Sequence, residues 1–407
     1  MPTLPQRRRI TFRYDLVRGT CQGFLETGAH TFALLIAVRV FEASPALKAF
    51  LAGAGPYGLL LTPVSLYIVS RLQISAASAA SFFFFAASLS LVVAAMTSDL
   101  ATFVAATVFA FFMIGQHAPL MVHIYSQNYD SRNRGALLSN SIVLSVTAAT
   151  LFAFLGGKAL DVDLERYRSI ILTLALASLI AAWAIRRMPS SPLSAGVKSW
   201  NPLKDLSYAW KDKLFGGMLI IWMLMGLGNL MTLPLRVEYM ANPRFGIDAT
   251  NAEIALMTAV IPSLVRILTT HIWGILFDRL NFAVVRTLLN SCFFIGILLF
   301  FNSESLFMLG VASAIFGLGM AGGNIAWSLW VTKIAPDDKV ATYMSIHTFT
   351  TGLRGVVAPF LGFFLLAIYP PELVAWLAAL LIGLSIMSLS RISGRFDAGG
   401  KKGKKTG

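Results

Sequence analysis

The chain has 407 residues, of which 57% are hydrophobic and only 13% charged, with a mean hydropathy of +0.72 and a formal net charge of +14. A water-soluble protein of this length needs more polar surface than this composition supplies, which excludes a soluble binding module or enzyme. The two cysteines, Cys21 and Cys292, lie in apolar stretches and predict neither a disulfide nor a metal site.

Apolar runs of about 20 residues recur along the whole chain and predict an all-α polytopic membrane protein. The first run follows the basic segment 7–13 and is too long and too polar for a cleaved signal peptide, so we expect it to be retained as a helix. In chain order the predicted spans are residues 16–40, 47–70, 74–96, 100–125, 135–157, 168–187, 215–238, 252–275, 282–301, 306–330, 341–368 and 371–390.

The longest break in this pattern, residues 188–214, separates six spans from six. Within it Leu203, Leu206, Trp210 and Leu214 recur at near-helical spacing after Asn201, which predicts an amphipathic helix on the cytoplasmic membrane surface. The predicted domains are a six-helix half (1–187), this central loop (188–214), a second six-helix half (215–391) and a basic cytoplasmic tail (392–407).

The distribution of basic residues sets the expected orientation. With both termini in the cytoplasm, 24 of the 33 Lys and Arg residues, among them Arg18 and Arg286, fall on the cytoplasmic side. The net positive charge therefore reflects membrane orientation, and no nucleic-acid partner is expected. In a prokaryote the predicted location is the plasma (inner) membrane.

The two halves show weak internal similarity. A shift of 205 positions places residues 134–157 on residues 339–362, so that Gly157 matches Gly362, and it carries Phe111 onto Phe316. The constant order of these matches predicts a tandem duplication that forms two pseudo-symmetric six-helix bundles.

A short motif lies between the eighth and ninth spans. Residues 274–279 read GILFDR, in which Gly274, Leu276, Asp278 and Arg279 match a loop signature, whereas positions 281–283 depart from it and the first-half copy keeps only Arg71. With the duplication and the basic central loop, this motif resembles the major facilitator superfamily of secondary transporters. The resemblance implies a twelve-helix fold and transport without a cofactor or ATP hydrolysis.

The motif also suggests a gating contact. A glycine allows helices to approach closely, and a carboxylate at a helix end can bind backbone or basic groups. We therefore expect Gly274, Asp278 and Arg279, and Arg71 as their counterpart in the first half, to form contacts between helices of one half that differ between access states. The alternative is a turn whose charges only set orientation.

Two arginines, Arg266 and Arg354, lie within predicted spans. A cation at this depth is costly and normally faces the bundle interior. Because Glu26 is the only acidic residue clearly within a span, one carboxylate cannot neutralise both arginines. An anionic substrate would explain the pair, and an interhelical ion pair is the alternative.

Further polar residues share helix faces with these arginines or lie in spans that line the cavity of the resembled family. His347, Thr350, Thr351 and Arg354 follow one stripe of the eleventh span. For a lone His or Asn, the alternative is an interhelical hydrogen bond. The predicted substrate-binding residues are Arg266, Arg354, His347, Thr351, Asn324, Trp327 and Asn229.

Glu26 and His30 are i, i+4 neighbours in the first span and form a candidate proton-coupling pair. The chain is therefore predicted to be a monomeric secondary transporter in the lipid bilayer, moving a small anion by alternating access, with a coupling proton. An efflux pump for amphipathic or cationic compounds is the alternative. No His-Glu-x-x-His motif or pair of intramembrane aspartates indicates an enzyme, and a transport-inactive sensor of the same fold is also compatible with the sequence.

Overall fold

A computed structural model describes residues 3–130, 134–192, 206–335 and 340–402, without the side chains of 134–136, 278, 324, 325, 328, 329, 332, 333, 340–342 and 392–402. Ten helices in these ranges are long and apolar enough to cross a membrane, or eleven if the bent pair Pro45–Ala52 and Ala54–Leu72 is one span. The first helix, which carries the polar residues Gln22, Glu26 and His30, is a further long segment. The predicted all-α membrane fold is confirmed.

The first six helical segments follow the predicted spans. The first one differs, because it begins at Leu4 rather than near residue 16: arginine is a good helix former, so the basic segment 7–13 continues the helix. The segments are α1 (Leu4–Thr27, a wide π turn at Gly28–Phe32, then Ala33–Arg39), α2 (Pro45–Ala52 and Ala54–Leu72), α3 (Ala76–Met96), α4 (Leu100–Gly115 and Ala118–Asn128), α5 (Arg134–Val162) and α6 (Tyr167–Arg186).

The second six segments begin after a short helix, Ser207–Lys211, at the end of the predicted central loop. The first residues of the amphipathic helix predicted there, 201–205, lie outside the described residues; the described part ends at Lys211, and Leu214 belongs to the next helix. The segments are α7 (Lys213–Thr232 and Leu235–Ala241), α8 (Asn251–Ala255, a π turn at Leu256–Val260, then Ile261–Arg279), α9 (Phe282–Phe301), α10 (Leu306–Leu329), α11 (Val340–Ile368) and α12 (Pro371–Lys402). Single 3-10 turns lie at Leu164–Arg166, Pro243–Phe245 and Trp330–Lys333.

Contacts divide the chain into two compact units, Met1–Asn201 with Ala249–Val260, and Pro202–Asp248 with Ile261–Gly407. In the first unit α1 packs on α5 and α6, α3 on α4 and α6, and α2 on α4. In the second unit α7 packs on α11 and α12, α9 on α10 and α12, and α8 on α10. The same pairing in both units confirms the predicted pseudo-symmetry of two six-helix bundles.

Close helix packing repeats as well. A Cβ atom built on Gly28 of α1 would lie 2.5 Å from a methyl carbon of Leu174 in α6, and one built on Gly228 of α7 would lie 2.6 Å from the carbonyl oxygen of Ala378 in α12. The tightest approach of α1 to α5 is at Gly23, where a Cβ would lie 2.0 Å from the carbonyl oxygen of Ser145. Small residues allow this backbone contact between membrane helices.

Side chains cap two of the helices. Asp161, at the end of α5, accepts hydrogen bonds from the backbone N–H groups of Asn251 at 2.7 Å and Ala252 at 3.1 Å, which begin α8. Asp212 accepts from the N–H groups of Leu214 and Phe215, both at 3.0 Å, and begins α7. Each carboxylate satisfies N–H groups that have no partner within the helix.

Candidate functional site

Arg354 lies on α11 inside the second unit and is only 5% exposed. Its Nη1 donates a hydrogen bond of 2.5 Å to the backbone carbonyl of Trp222 on α7. One turn further along α7, a Cβ atom built on Gly226 would lie 2.4 Å from Cδ and Nε of Arg354. The glycine therefore leaves the space that the guanidinium occupies, and the Nε of Arg354 has no partner among the described residues.

A second arginine, Arg286 on α9, approaches the same tryptophan. Its Cζ lies 3.7 Å from the centroid of the Trp222 ring, and the corresponding distance for Arg354 is 5.6 Å. Arg286 is 1% exposed, and its Nε, Nη1 and Nη2 have no hydrogen-bond partner among the described residues. Arg286 was counted among the charges of the cytoplasmic side; the structure shows that it is buried, and its position in the second turn of the predicted span 282–301 was a signal of that burial.

His347 on α11 is surrounded by the rings of three tryptophans. Its ring centroid lies 5.1 Å from Trp222, 5.3 Å from Trp327 and 5.0 Å from Trp330. Both ring nitrogens of His347 and the indole nitrogens of Trp222 and Trp330 have no partner among the described residues. We define the arginine–tryptophan cluster as Trp222, Arg286, Trp327, Trp330, His347 and Arg354.

The two buried guanidinium groups of this cluster are not neutralised by any described carboxylate, since no recorded ion pair or hydrogen bond joins either to an acidic side chain. Burying an unpaired ion costs several kcal/mol even after relaxation. A desolvated cation–π contact returns about 2 kcal/mol. The alternative of an interhelical ion pair for Arg354 is not found in the described part of the chain.

The structure brings several of the predicted substrate residues together. Thr351 accepts a hydrogen bond of 3.3 Å from the indole N–H of Trp327 and donates one of 2.8 Å to the carbonyl of His347. Asn229 is half-buried on α7, with its Oδ1 unpartnered among the described residues. Asn324 lies on α10, but its side chain is outside the described part.

Arg266 is not joined to this group. It is half-buried on α8, and no recorded hydrogen bond, ion pair or ring contact links its side chain to Arg354. The cationic pair that the fold assembles is Arg286 with Arg354. Sequence spacing could not select it, because the neighbour of a buried side chain depends on helix packing.

The predicted coupling pair lies where the first helix widens. Glu26 is half-buried in the last turn before the π turn, and His30 is exposed within that turn. Their role in coupling stays a prediction.

A buried carboxylate that the sequence analysis missed lies further towards the N-terminus of α1. Asp15 is 1% exposed and accepts hydrogen bonds from Tyr125 Oη at 2.6 Å and Arg18 Nε at 2.7 Å. The Ser141 hydroxyl on α5 donates to the Asp15 carbonyl at 3.0 Å. Arg18, counted among the charges of the cytoplasmic side, is therefore part of a polar network between α1, α4 and α5.

The structure does not support close helix packing as the reason for a glycine at position 274, one of the predicted gating residues. A Cβ atom built on Gly274 would meet no atom within 4 Å, so close helix approach does not require a glycine there. Arg279 is exposed, and Arg71 is exposed with its Cζ 5.2 Å from the ring centroid of Tyr67. The side chain of Asp278 lies outside the described part, so the gating contact stays a prediction.

Comparison with known proteins shows one family across the chain. The model described as Major Facilitator Superfamily matches residues 19–359 and 239–406. A structure of a mutant of the nucleoside transporter NupG is similar with a TM-score of 0.76 and 14% identity, covering 94% of this chain and 99% of NupG. A POT family transporter in complex with a thioalcohol-conjugated peptide has a TM-score of 0.74 and 13% identity, covering 95% of this chain and 96% of that chain. The xylose transporter XylE from E. coli has a TM-score of 0.68 and 12% identity, covering 95% of this chain and 98% of that chain. No curated protein matches the chain.

Proposed function

The chain belongs to the major facilitator superfamily, and on this premise we propose that it moves a small anionic solute across a membrane by alternating access. Family membership makes it a membrane transporter rather than an enzyme. The proposal depends mainly on one observation. Arg286 and Arg354 are both buried near the Trp222 ring, and neither forms an ion pair with a carboxylate among the described residues. An anion in the cluster would supply charge-assisted hydrogen bonds to both guanidinium groups.

The remaining parts of the proposal follow from the predicted topology. We propose that both termini face the cytoplasm, that the protein acts as a monomer, and that Glu26 and His30 couple transport to protons. The half-buried position of Glu26 supports this role, since a partly desolvated carboxylate in a membrane helix can bind and release protons. In proteoliposomes, a Glu26→Gln variant should lose the dependence of uptake on a proton gradient; unchanged dependence would remove the coupling role.

Thermal unfolding of the purified full chain in detergent tests the substrate class. Sodium succinate, sodium butyrate, sodium sulfate and tetraphenylphosphonium chloride are compared, because a ligand that binds the folded state stabilises it by about 2.7 kcal/mol at 100 times its Kd. We expect at least one of the anions to raise the Tm of the wild type and of Arg187→Gln, but not that of Arg354→Gln. Arg187 is a matched control, since it is exposed and its Cζ lies 5.8 Å from the ring centroid of Trp183.

The same experiment can overturn the proposal. Stabilisation by tetraphenylphosphonium alone would favour efflux of lipophilic cations. Equal anion stabilisation of the wild type and Arg354→Gln would show that anions bind elsewhere.

A further inference from the structure

We propose that the arginine–tryptophan cluster selects divalent oxyanions over monovalent ones. This inference rests on the proposed function and specifies its substrate class. It depends on two properties of the cluster, its charge and its excess of hydrogen-bond donors.

The charge of the cluster is that of two permanent cations. Guanidinium groups stay protonated in proteins, so Arg286 and Arg354 both carry a charge. Because their Cζ atoms lie 3.7 Å and 5.6 Å from one ring centroid, they are within about 9.3 Å of each other. A monovalent ligand would leave one buried cation unbalanced, whereas a small dianion neutralises both, and the low dielectric of the interior strengthens this difference.

The hydrogen-bonding groups of the cluster select in the same direction. Among the described side chains, the unpartnered donors are all three nitrogens of Arg286, Nε of Arg354 and the indole nitrogens of Trp222 and Trp330. Both ring nitrogens of His347 are unpartnered as well, and so is the Oδ1 of Asn229, an acceptor that follows Trp222 and Gly226 at helical spacing on α7. A ligand that satisfies this set carries many acceptor oxygens and few N–H or O–H groups, as a dicarboxylate, sulfate or phosphate group does.

The cluster has a half-buried polar border. Trp327, Thr351 and Asn229 are all half-buried, in contrast to Arg286, Trp330 and His347, which are at most 1% exposed. Thr351 and the Trp327 indole are hydrogen-bonded to each other at this border. The hydroxyl, amide and indole groups of these side chains can replace part of the hydration shell of a bound anion.

Binding affinities for probes matched in size and different in charge test the inference. Succinate is compared with butyrate, and sulfate with methanesulfonate, by calorimetric titration of the purified full chain at constant ionic strength. For at least one pair we expect the wild type to bind the dianion at least about tenfold more tightly, because a hydrogen bond to a charged group contributes about this factor or more. Arg286→Gln should reduce that ratio to about twofold or less, whereas Arg286→Lys and the exposed control Arg187→Gln should retain it.

Any result other than these would refute either the valence preference, its assignment to Arg286 and Arg354, or the proposed function. If mono- and divalent probes bind equally, the valence preference is refuted and the anion-transport proposal stands. A preference retained in Arg286→Gln would refute the assignment to this arginine pair. If no anion binds the wild type, the proposed function itself fails. Should Arg286→Gln not fold, Arg286→Met, which removes the same charge, provides the same comparison.

Discussion

Replacement of Arg286 by methionine tests whether this buried cation is a cost to the folded protein. The variant keeps an unbranched side chain of similar length and removes a charge that is 1% exposed and has no described hydrogen-bond partner. If the cation–π contact offsets the desolvation cost of the buried charge, this change should destabilise the protein, because the contact of 3.7 Å between Cζ and the Trp222 centroid would be lost. If the desolvation cost is larger than the energy of that contact, the ligand-free variant should be more stable than the wild type.

The magnitude follows from two opposing contributions. Loss of the desolvated cation–π contact costs about 2 kcal/mol, whereas relief of the desolvation penalty gains several kcal/mol, and replacing buried ionic groups by apolar ones of similar volume often stabilises proteins by about 1–4 kcal/mol. For a unit of this size, about 1 kcal/mol corresponds to a shift in Tm of about 2–4 °C. We therefore expect Arg286→Met to raise the Tm of the ligand-free protein by at least about 2 °C.

Thermal unfolding in detergent, without added succinate, sulfate or other divalent anions, measures this shift. The exposed control Arg187→Met should change the free energy of unfolding by no more than about 0.5 kcal/mol. The same Arg286→Met protein should gain less Tm from added succinate or sulfate than the wild type does. A fall in Tm of Arg286→Met relative to the wild type would refute the reasoning, since it would show that the guanidinium is already compensated in the ligand-free state.

Four further substitutions, one of them a control, test other parts of the fold. Asp15→Asn removes the charge that faces its arginine partner in a buried network and should destabilise the protein by about 3–5 kcal/mol in thermal unfolding; an unchanged Tm would contradict burial of that ion pair. Asp161→Ala removes the cap from the start of α8, which should reduce the stability of that helix by about 0.5–2 kcal/mol. Hydrogen exchange at its first N–H groups should therefore accelerate, and unchanged exchange would show that the cap contributes nothing. Gly23→Ala should lower the Tm because its Cβ would lie 2.0 Å from a carbonyl oxygen, whereas Gly274→Ala should be tolerated; the reverse order would be inconsistent with the packing.

The sequence by itself determined the class of the protein and most of its helices. Hydropathy is a local property, so the apolar runs located the spans to within a few residues, as in α9, predicted and observed at residues 282–301. The shift of about 205 positions identified the duplication, because repeated helices keep the order of their packing residues. The start of α1 was misplaced since charge ends a hydrophobic run without ending a helix, and Asp15 was therefore overlooked.

The tertiary structure alone decided which polar residues meet. Arg354, His347 and Thr351 were predicted from helix spacing to share one face of α11 and do lie together, because residues on one face of a helix share their neighbours. The partner of Arg354 could not be read from any single helix: Arg286 reaches the Trp222 ring through the packing of α7, α9 and α11. Which long side chain enters the interior depends on the relative rotation of packed helices, and that is a property of the assembled bundle.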